Sequence, residues 1–459
     1  MRRSYPCILL LLVLRFVSPA GFIGLGLSQE PPEPTASPLT ITLQDALTRA
    51  HKYSSQVETA NIATLLAKED VKQAKAATLP TATGFNQFIY TEGNGTPSGV
   101  FVANDGVHVY NEQLVGHQDL FALFRRGPIR LAEASEAVAR AKADIAARGL
   151  NATVIQDYYT IADSERRLQN AQQALKEAQQ FLEITQKLER GGEAAHADVI
   201  KAQLQVQQHQ RDLQDAVLAL QKSKITLAVL IFPVLQLEYK IVDDMADLPL
   251  LPTLPEATAQ MNANSPDLRA AQGSVSEAQL GVTVARYAYL PSFDLQVFYG
   301  IDANQFAAVS SVAQATGRST LPHYEVTERQ NLGYSASATL NIPLWDWGVI
   351  RSRVKQASLR AHQAEFELTS TQRQLQGELA AAWQEAQTAL SQVASLRDSS
   401  SLSSESLRLT LLRYEAGEAT ALEVTDAQTT ASQAHNAYGD GLLRYRVALA
   451  NLQTLTGTP

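Results

Sequence analysis

Three places along the chain gather side chains that could do chemistry. The stretch IPLWDWG, residues 342–348, sets Asp346 between Trp345 and Trp347 and ends on Gly348. Two indoles around an acid make a candidate ligand site. His196 and Asp198 stand two residues apart and are types that ligate metals. Glu423 and Asp426 put two carboxylates early in the last helical stretch, where acids favour a helix N-terminus. None of these reads as an enzyme's centre: the eight histidines are scattered, no His-x-x-x-His pair occurs, and no glycine-rich phosphate loop joins a strand to a helix. No catalytic residue, cofactor or metal site is expected.

The elements that position these residues are written twice. Residues 43–80 and 254–291 correspond without a gap: Leu43 meets Leu254, Ala46 meets Ala257, Val71 meets Val282, and Leu79-Pro80 meets Leu290-Pro291. The match resumes at Gly127 with Gly348, then at Gly192 to Val199 with Gly417 to Val424. A duplication explains three such matches in order. Repeat 1 spans 41–230, a linker 231–253, and repeat 2 254–457.

Within each repeat the period changes. The stretches 56–78 and 266–289 are rich in good helix formers and stop at Leu-Pro. In LGYSASATLNIPL, Leu332, Tyr334, Ala336, Ala338, Leu340, Ile342 and Leu344 share one face, and serine, threonine and asparagine the other. SFDLQVFY alternates likewise, as a lipid-facing barrel strand or a half-buried hairpin would. Strands are expected at about 81–121 and 292–344, the first pair alternating loosely, with surface loops at 93–105 and 301–331.

Long helices are expected at about 128–189 and 349–415, because only Gly149 interrupts the first after Pro128 and no glycine or proline falls in 350–415 except Gly377. Return helices fit 196–230 and 420–456. The shorter helices of each repeat, placed end to end, nearly equal the long one, which describes a wall of rods of one height. Alanine-rich faces permit close approach. A free coiled coil would have no use for the strands.

Composition narrows the partners. A formal net charge of −8 supplies no phosphate-neutralising surface, so nucleic acid is set aside. The single cysteine, Cys7, lies in MRRSYPCILLLLVLRFV, which reads as a signal peptide within 1–28, cut after Ala20 or Ser28. The mature chain then has neither disulfide nor thiolate chemistry. No apolar run is long enough for a spanning helix, so any span must be a β-barrel.

Taken together, ITLQDALTRA (41–50), the duplicated helix–Leu-Pro–strand unit, the junction IPLWDWG, the tip RYEAGEATALEVTDAQ (413–428) and the terminal LANLQTLTG (449–457) resemble the TolC-like outer-membrane efflux proteins. The resemblance implies a mostly α chain with a β-barrel part. It implies a homotrimer sharing an outer-membrane barrel of 12 strands, and a helical tunnel in the periplasm. The function implied is a passive exit duct for an inner-membrane pump, joined through a periplasmic adaptor. Drug, metal, solvent and protein cargo all stay open. An adaptor with long helical hairpins is the alternative, although adaptors carry one hairpin rather than two.

The resemblance assigns the gate and adaptor tip to Arg413, Tyr414, Gly417, Glu423, Val424 and Asp426 in repeat 2, and to Gly192, Asp198 and Val199 in repeat 1. A family arginine two residues past the tip glycine is Ala419 here. In a trimer an inward acid becomes a ring of three, favouring cations. For the junction, Phe124, Gly127, Trp345, Asp346, Trp347 and Gly348 are expected at the periplasmic membrane boundary, with the indoles anchored there or packed on the helix crown and Asp346 structural.

Overall fold

The computed structural model describes residues 39–90, 108–303 and 332–457. The signal segment expected at 1–28 lies outside them, as do the expected loops, apart from 301–303, which extend a strand. Repeat 1 runs β1 (Leu39–Ile41), α1 (Leu43–Tyr53), α2 (Ser55–Ala76), β2 (Thr81–Tyr90), β3 (His108–Asp119), α3 (Gly127–Gly191) and α4 (His196–Ile231). After β4 (Tyr239–Ile241), repeat 2 follows with α5 (Leu254–Asn264), α6 (Pro266–Arg286), β5 (Ser292–Ala303), β6 (Leu332–Asn341), α7 (Val349–Glu415) and α8 (Ala421–Thr456).

The helices start where their sequences can satisfy the first free amides. Thr42 and Asp45 bond each other's backbone N–H groups, each at 3.2 Å, and open α1. Thr420 and Glu423 do the same for α8 at 3.3 Å, while Glu256 accepts from the Thr253 amide at 3.0 Å before α5. The 65 residues of α3 and 67 of α7 make rods about 100 Å long. No described helix is long and apolar enough to cross a membrane.

Packing puts these rods in one layer. Toward the sheet the neighbours are α2, α3, α6 and α7 in that order; toward the far end they are α4, α3, α8 and α7. Thus α2 and α4 share one flank of α3, and α6 and α8 fill the space between α3 and α7. Small residues allow the closeness: a Cβ on Gly439 would stand 2.7 Å from Asp163 Oδ1. The four strands pair antiparallel in the order β2-β3-β5-β6.

Register carries the alternation across the sheet. Leu114 pairs with Tyr299 and Tyr299 with Tyr334, while the opposite face holds Gln296 between His117 and Ser337. Strand β6 ends at Asn341 rather than at Leu344. Its partner β5 begins at Ser292, opposite Asn341, and Pro343 has no amide to donate, so nothing continues the ladder.

The core sits at mid-height, in the segment the sequence marks as a linker. There β4 pairs with β1, and Ile41, Tyr158, Tyr159, Leu227, Tyr239, Met245 and Tyr445 are buried together. The Tyr158 hydroxyl donates to Val242 O at 2.8 Å, has Ile41 O at 3.2 Å as a longer alternative acceptor, and accepts from Val242 N at 3.1 Å. Burial pushes its phenol up to about 12, so it stays a donor at any ordinary pH. Tyr445 donates to Pro249 O, and Arg446, over the Tyr159 ring, donates to Asp244 O and Asp247 O.

Tyr158→Phe is expected to leave the Val242 amide and carbonyl without partners and to cost about 1–3 kcal/mol. The thermal midpoint of the purified protein checks this; a midpoint equal to wild type removes the hydroxyl from the account.

Candidate functional site: the helical tips and the sheet–helix junction

The far end holds two turns of the same build. The α3–α4 turn passes through Gly192 at φ 79° and the α7–α8 turn through Gly417 at φ 76°, a left-handed conformation that a Cβ penalises. Each turn closes its helix: Glu193 N donates to Leu188 O and Glu418 N to Arg413 O, both at 2.8 Å.

The turns lie beside each other. Phe181, Ala202, Tyr414, Ala421 and Val424 form one buried cluster that joins all four helices of the tip. The Tyr414 ring meets Phe181 edge-on at 5.2 Å, and its hydroxyl donates to Thr185 Oγ1 at 3.3 Å. Val199 and Val424 are buried within the tip. A groove of about 470 Å³ runs between the turns, lined by Leu188, Glu193, Asp198, Tyr414, Thr420 and Leu422 among others.

The acids fare differently. Glu423 serves the capping box, and its other oxygen stands 3.6 Å from Arg413 Nη1. Arg413 also donates to Glu418 O at 3.0 Å. Both side chains are half exposed, so the pair itself contributes at most about 1 kcal/mol. Asp198 pairs with Lys201 at 3.5 Å on its own helix, and His196 turns back to Glu189 at 2.6 Å rather than toward Asp198. Asp426 is exposed. Ala419, where the family arginine would stand, packs against the buried cluster.

Sequence reasoning missed three parts of this site. Phe181 and Thr185 are ordinary residues of a long helix, and no spacing marks them as partners of Tyr414. The capping box had a signal, Thr-x-x-Glu at 420–423, preceding an apolar position.

At the other end lies the junction. Asp346 Oδ1 accepts from Gly348 N at 3.0 Å and Oδ2 from Ile350 N at 2.6 Å, so this acid starts α7. Gly348 is left-handed at φ 85°, and so is Trp347 at φ 55°. The two indoles meet edge-on at 5.6 Å and are 76% and 88% exposed. In repeat 1, Arg125 donates to Pro291 O and Gly127 lies against the Tyr287 ring, while Phe124 is exposed. Tips and junction sit at opposite ends of α3 and α7, so the structure makes two sites of the predicted residues.

Exposing the capping acid tests the tip geometry. Glu423→Ala should lower the thermal midpoint by the loss of about 1 kcal/mol of capping, whereas Asp426→Ala should leave it unchanged.

Residues 258–458 match the family model described as outer membrane efflux protein. No curated protein sequence matches the chain. Among solved structures, CusC is similar with a TM-score of 0.75 at 16% identity, over 91% of this chain and 92% of that one. The open-state MtrE outer membrane channel of Neisseria gonorrhoeae gives 0.73 at 20% identity, covering 91% and 89%. The CmeC outer membrane channel of Campylobacter jejuni gives 0.74 at 15%, covering 90% and 85%. At these identities the structures share the fold. The second repeat thus matches the outer membrane efflux protein family in sequence, and the chain as a whole shares the fold of these solved channels.

Proposed function

We propose that the chain is an outer-membrane efflux channel that acts as a homotrimer, the passive exit duct of a tripartite efflux or type I secretion system. The observation that carries this reading is that, among the described residues, the sheet and the helical layer of one protomer end on the same two flanks. The sheet ends on β2 and β6, the helical layer on α2 and α7 near the sheet and on α4 and α7 near the tips.

An open sheet edge inside a bilayer leaves backbone groups with no water to bond, so the sheet must close on itself. Four strands are too few for a barrel. Setting β6 of one copy beside β2 of the next is a head-to-tail contact, which makes a ring when the rotation closes. Three copies supply 12 strands. The flanking helices support the same contact: Ile62, Leu65 and Leu66 of α2 and Leu359 and Phe366 of α7 are exposed in the protomer. A ring of such protomers encloses a tunnel whose far end is made by the tips.

The tip groove then faces a periplasmic adaptor, with an inner-membrane pump beyond it. Asp426, exposed and early in α8, becomes a ring of three carboxylates that favours cations at the constriction. The duct needs no cofactor and no catalytic residue, because the pump supplies the work. Two hairpins above a four-stranded sheet also separate this chain from an adaptor with one.

Phe366→Glu is expected to convert the heat-resistant trimer in outer-membrane fractions to monomer on mild-detergent electrophoresis; a persistent trimer would remove α7 from the contact. Replacing Glu423 and Asp426 together by alanine should raise single-channel conductance in a planar bilayer. Equal conductance would sink the gate assignment.

A further inference from the structure

Between β4 and α5 the stretch LPLLPTLP, residues 248–255, carries proline at every third position: Pro249, Pro252 and Pro255. Three residues make one turn of polyproline II, so this spacing puts equivalent backbone groups on one side of an extended rod, about 9 Å apart. The local backbone agrees. Leu248 and Leu251 precede prolines, which disfavours the helical region for both, and Thr253 has φ −68° and ψ 152°. Pro255 falls in the first turn of α5, where a missing N–H costs nothing, so the rod runs straight into the helix. Its sides differ as a period of three requires: Leu251 packs with Trp383, Leu379 and Met261, whereas Leu250 is 95% exposed.

Two carbonyls one turn apart on this rod are taken by aromatic donors from two helices. Tyr445 of α8 donates its hydroxyl to Pro249 O, and Trp383 of α7 donates its indole N–H to Pro252 O at 2.8 Å. Tyr445 is buried and Trp383 half-buried. Aromatic-lined grooves suit proline-rich ligands because the preformed rod loses little entropy on docking. Repeat 1 makes the same join by other means. The offset that sets Leu43 against Leu254 sets β1 against residues 250–252, and β1 is held by pairing with β4. Pro249 and Pro252 have no amide to give a ladder, so in repeat 2 side chains hold the segment instead. A plain connector would need neither the proline spacing nor the two matched donors.

We infer that the groove around Trp383 and Tyr445 is a polyproline-II binding site, that its ligand is the chain's own segment 248–255, and that the docked rod pins α7 to α8. A slip of one helix past the other by a turn, about 5.4 Å, breaks one of the two bonds, because a stiff rod cannot follow both donors. Rod and groove belong to one protomer, so the site holds whether or not copies assemble into a channel.

The test uses the full chain with Trp345→Phe and Trp347→Phe, which leaves Trp383 as the emitter among three tryptophans, and follows acrylamide quenching of its fluorescence. Pro249→Ala together with Pro252→Ala keeps both carbonyls but removes the stiffness, so the quenching constant should rise about twofold. Free peptide LPLLPTLP should then bring it back saturably to the parent value, while the same peptide with alanine at the first two proline positions should not. The parent, its groove filled, should not respond to either peptide. Tyr445→Phe leaves the rod intact and is the milder change; it should also raise quenching at Trp383, one turn along the rod, and it decides alone if the alanine variant fails to fold. Quenching unchanged in Tyr445→Phe or in a folded alanine variant overturns the site, as does restoration by both peptides or by neither.

Discussion

Arg446 lies between the carbonyls of Asp244 and Asp247, its guanidinium 5.0 Å from the Tyr159 ring centre, and the layer of rods depends on this contact and its neighbours. Rods about 100 Å long packed through alanine seams have little to stop them sliding, because small residues interlock weakly. The mid-height segment supplies the stop. Its extended backbone offers carbonyls that helices cannot, and Tyr158 and Arg446 reach them from α3 and α8, two adjacent rods of different repeats. A cation removed from water is costly, so such an arginine is retained only where carbonyls and a ring face compensate it.

That dependence explains what the sequence made legible. The duplication, the two long helices and the strand pairs follow from local periodicity and from the placement of glycine and proline, which a single chain displays. The mid-height core does not. Its strands are three residues each, too short for any alternation, and β1 and β4 are joined across almost the whole of repeat 1. Buried tyrosines on α3 look the same in sequence as tyrosines on a wet helix face.

The candidate residues divide the same way. Glycines at 192, 348 and 417 were readable, because a turn between helices or before one demands a left-handed residue. The partners were not: Thr185 lies 229 residues from Tyr414, and Arg413 reaches Glu423 only because the turn folds back. The aligned junctions also diverge in chemistry. Where repeat 2 uses Asp346 to cap its own long helix, repeat 1 has Arg125, which instead bonds Pro291 O and ties its turn to the second repeat. Equal position in a duplicated sequence therefore implied neither equal contacts nor equal backbone, since Trp347 and Gly348 are left-handed where the aligned Arg126 has φ −75° and Gly127 already opens α3.

The tip shows where freedom remains. Each turn is closed by a left-handed glycine and helix-end hydrogen bonds, and the α8 start is locked further by Thr420, Glu423 and Arg413. Phe181, Tyr414 and Val424 then join the two turns through a buried cluster. Opening within that cluster would expose aromatic and aliphatic surface at about 25 cal/mol per Å². Among the described residues the outer flanks of α4 and α7 carry no such cluster, so the lower-cost displacement moves each tip as one body against whatever lies beside it. In the ring proposed above that neighbour would be the next copy, so the proposal places control of the passage's width in the contact between copies rather than in either hairpin.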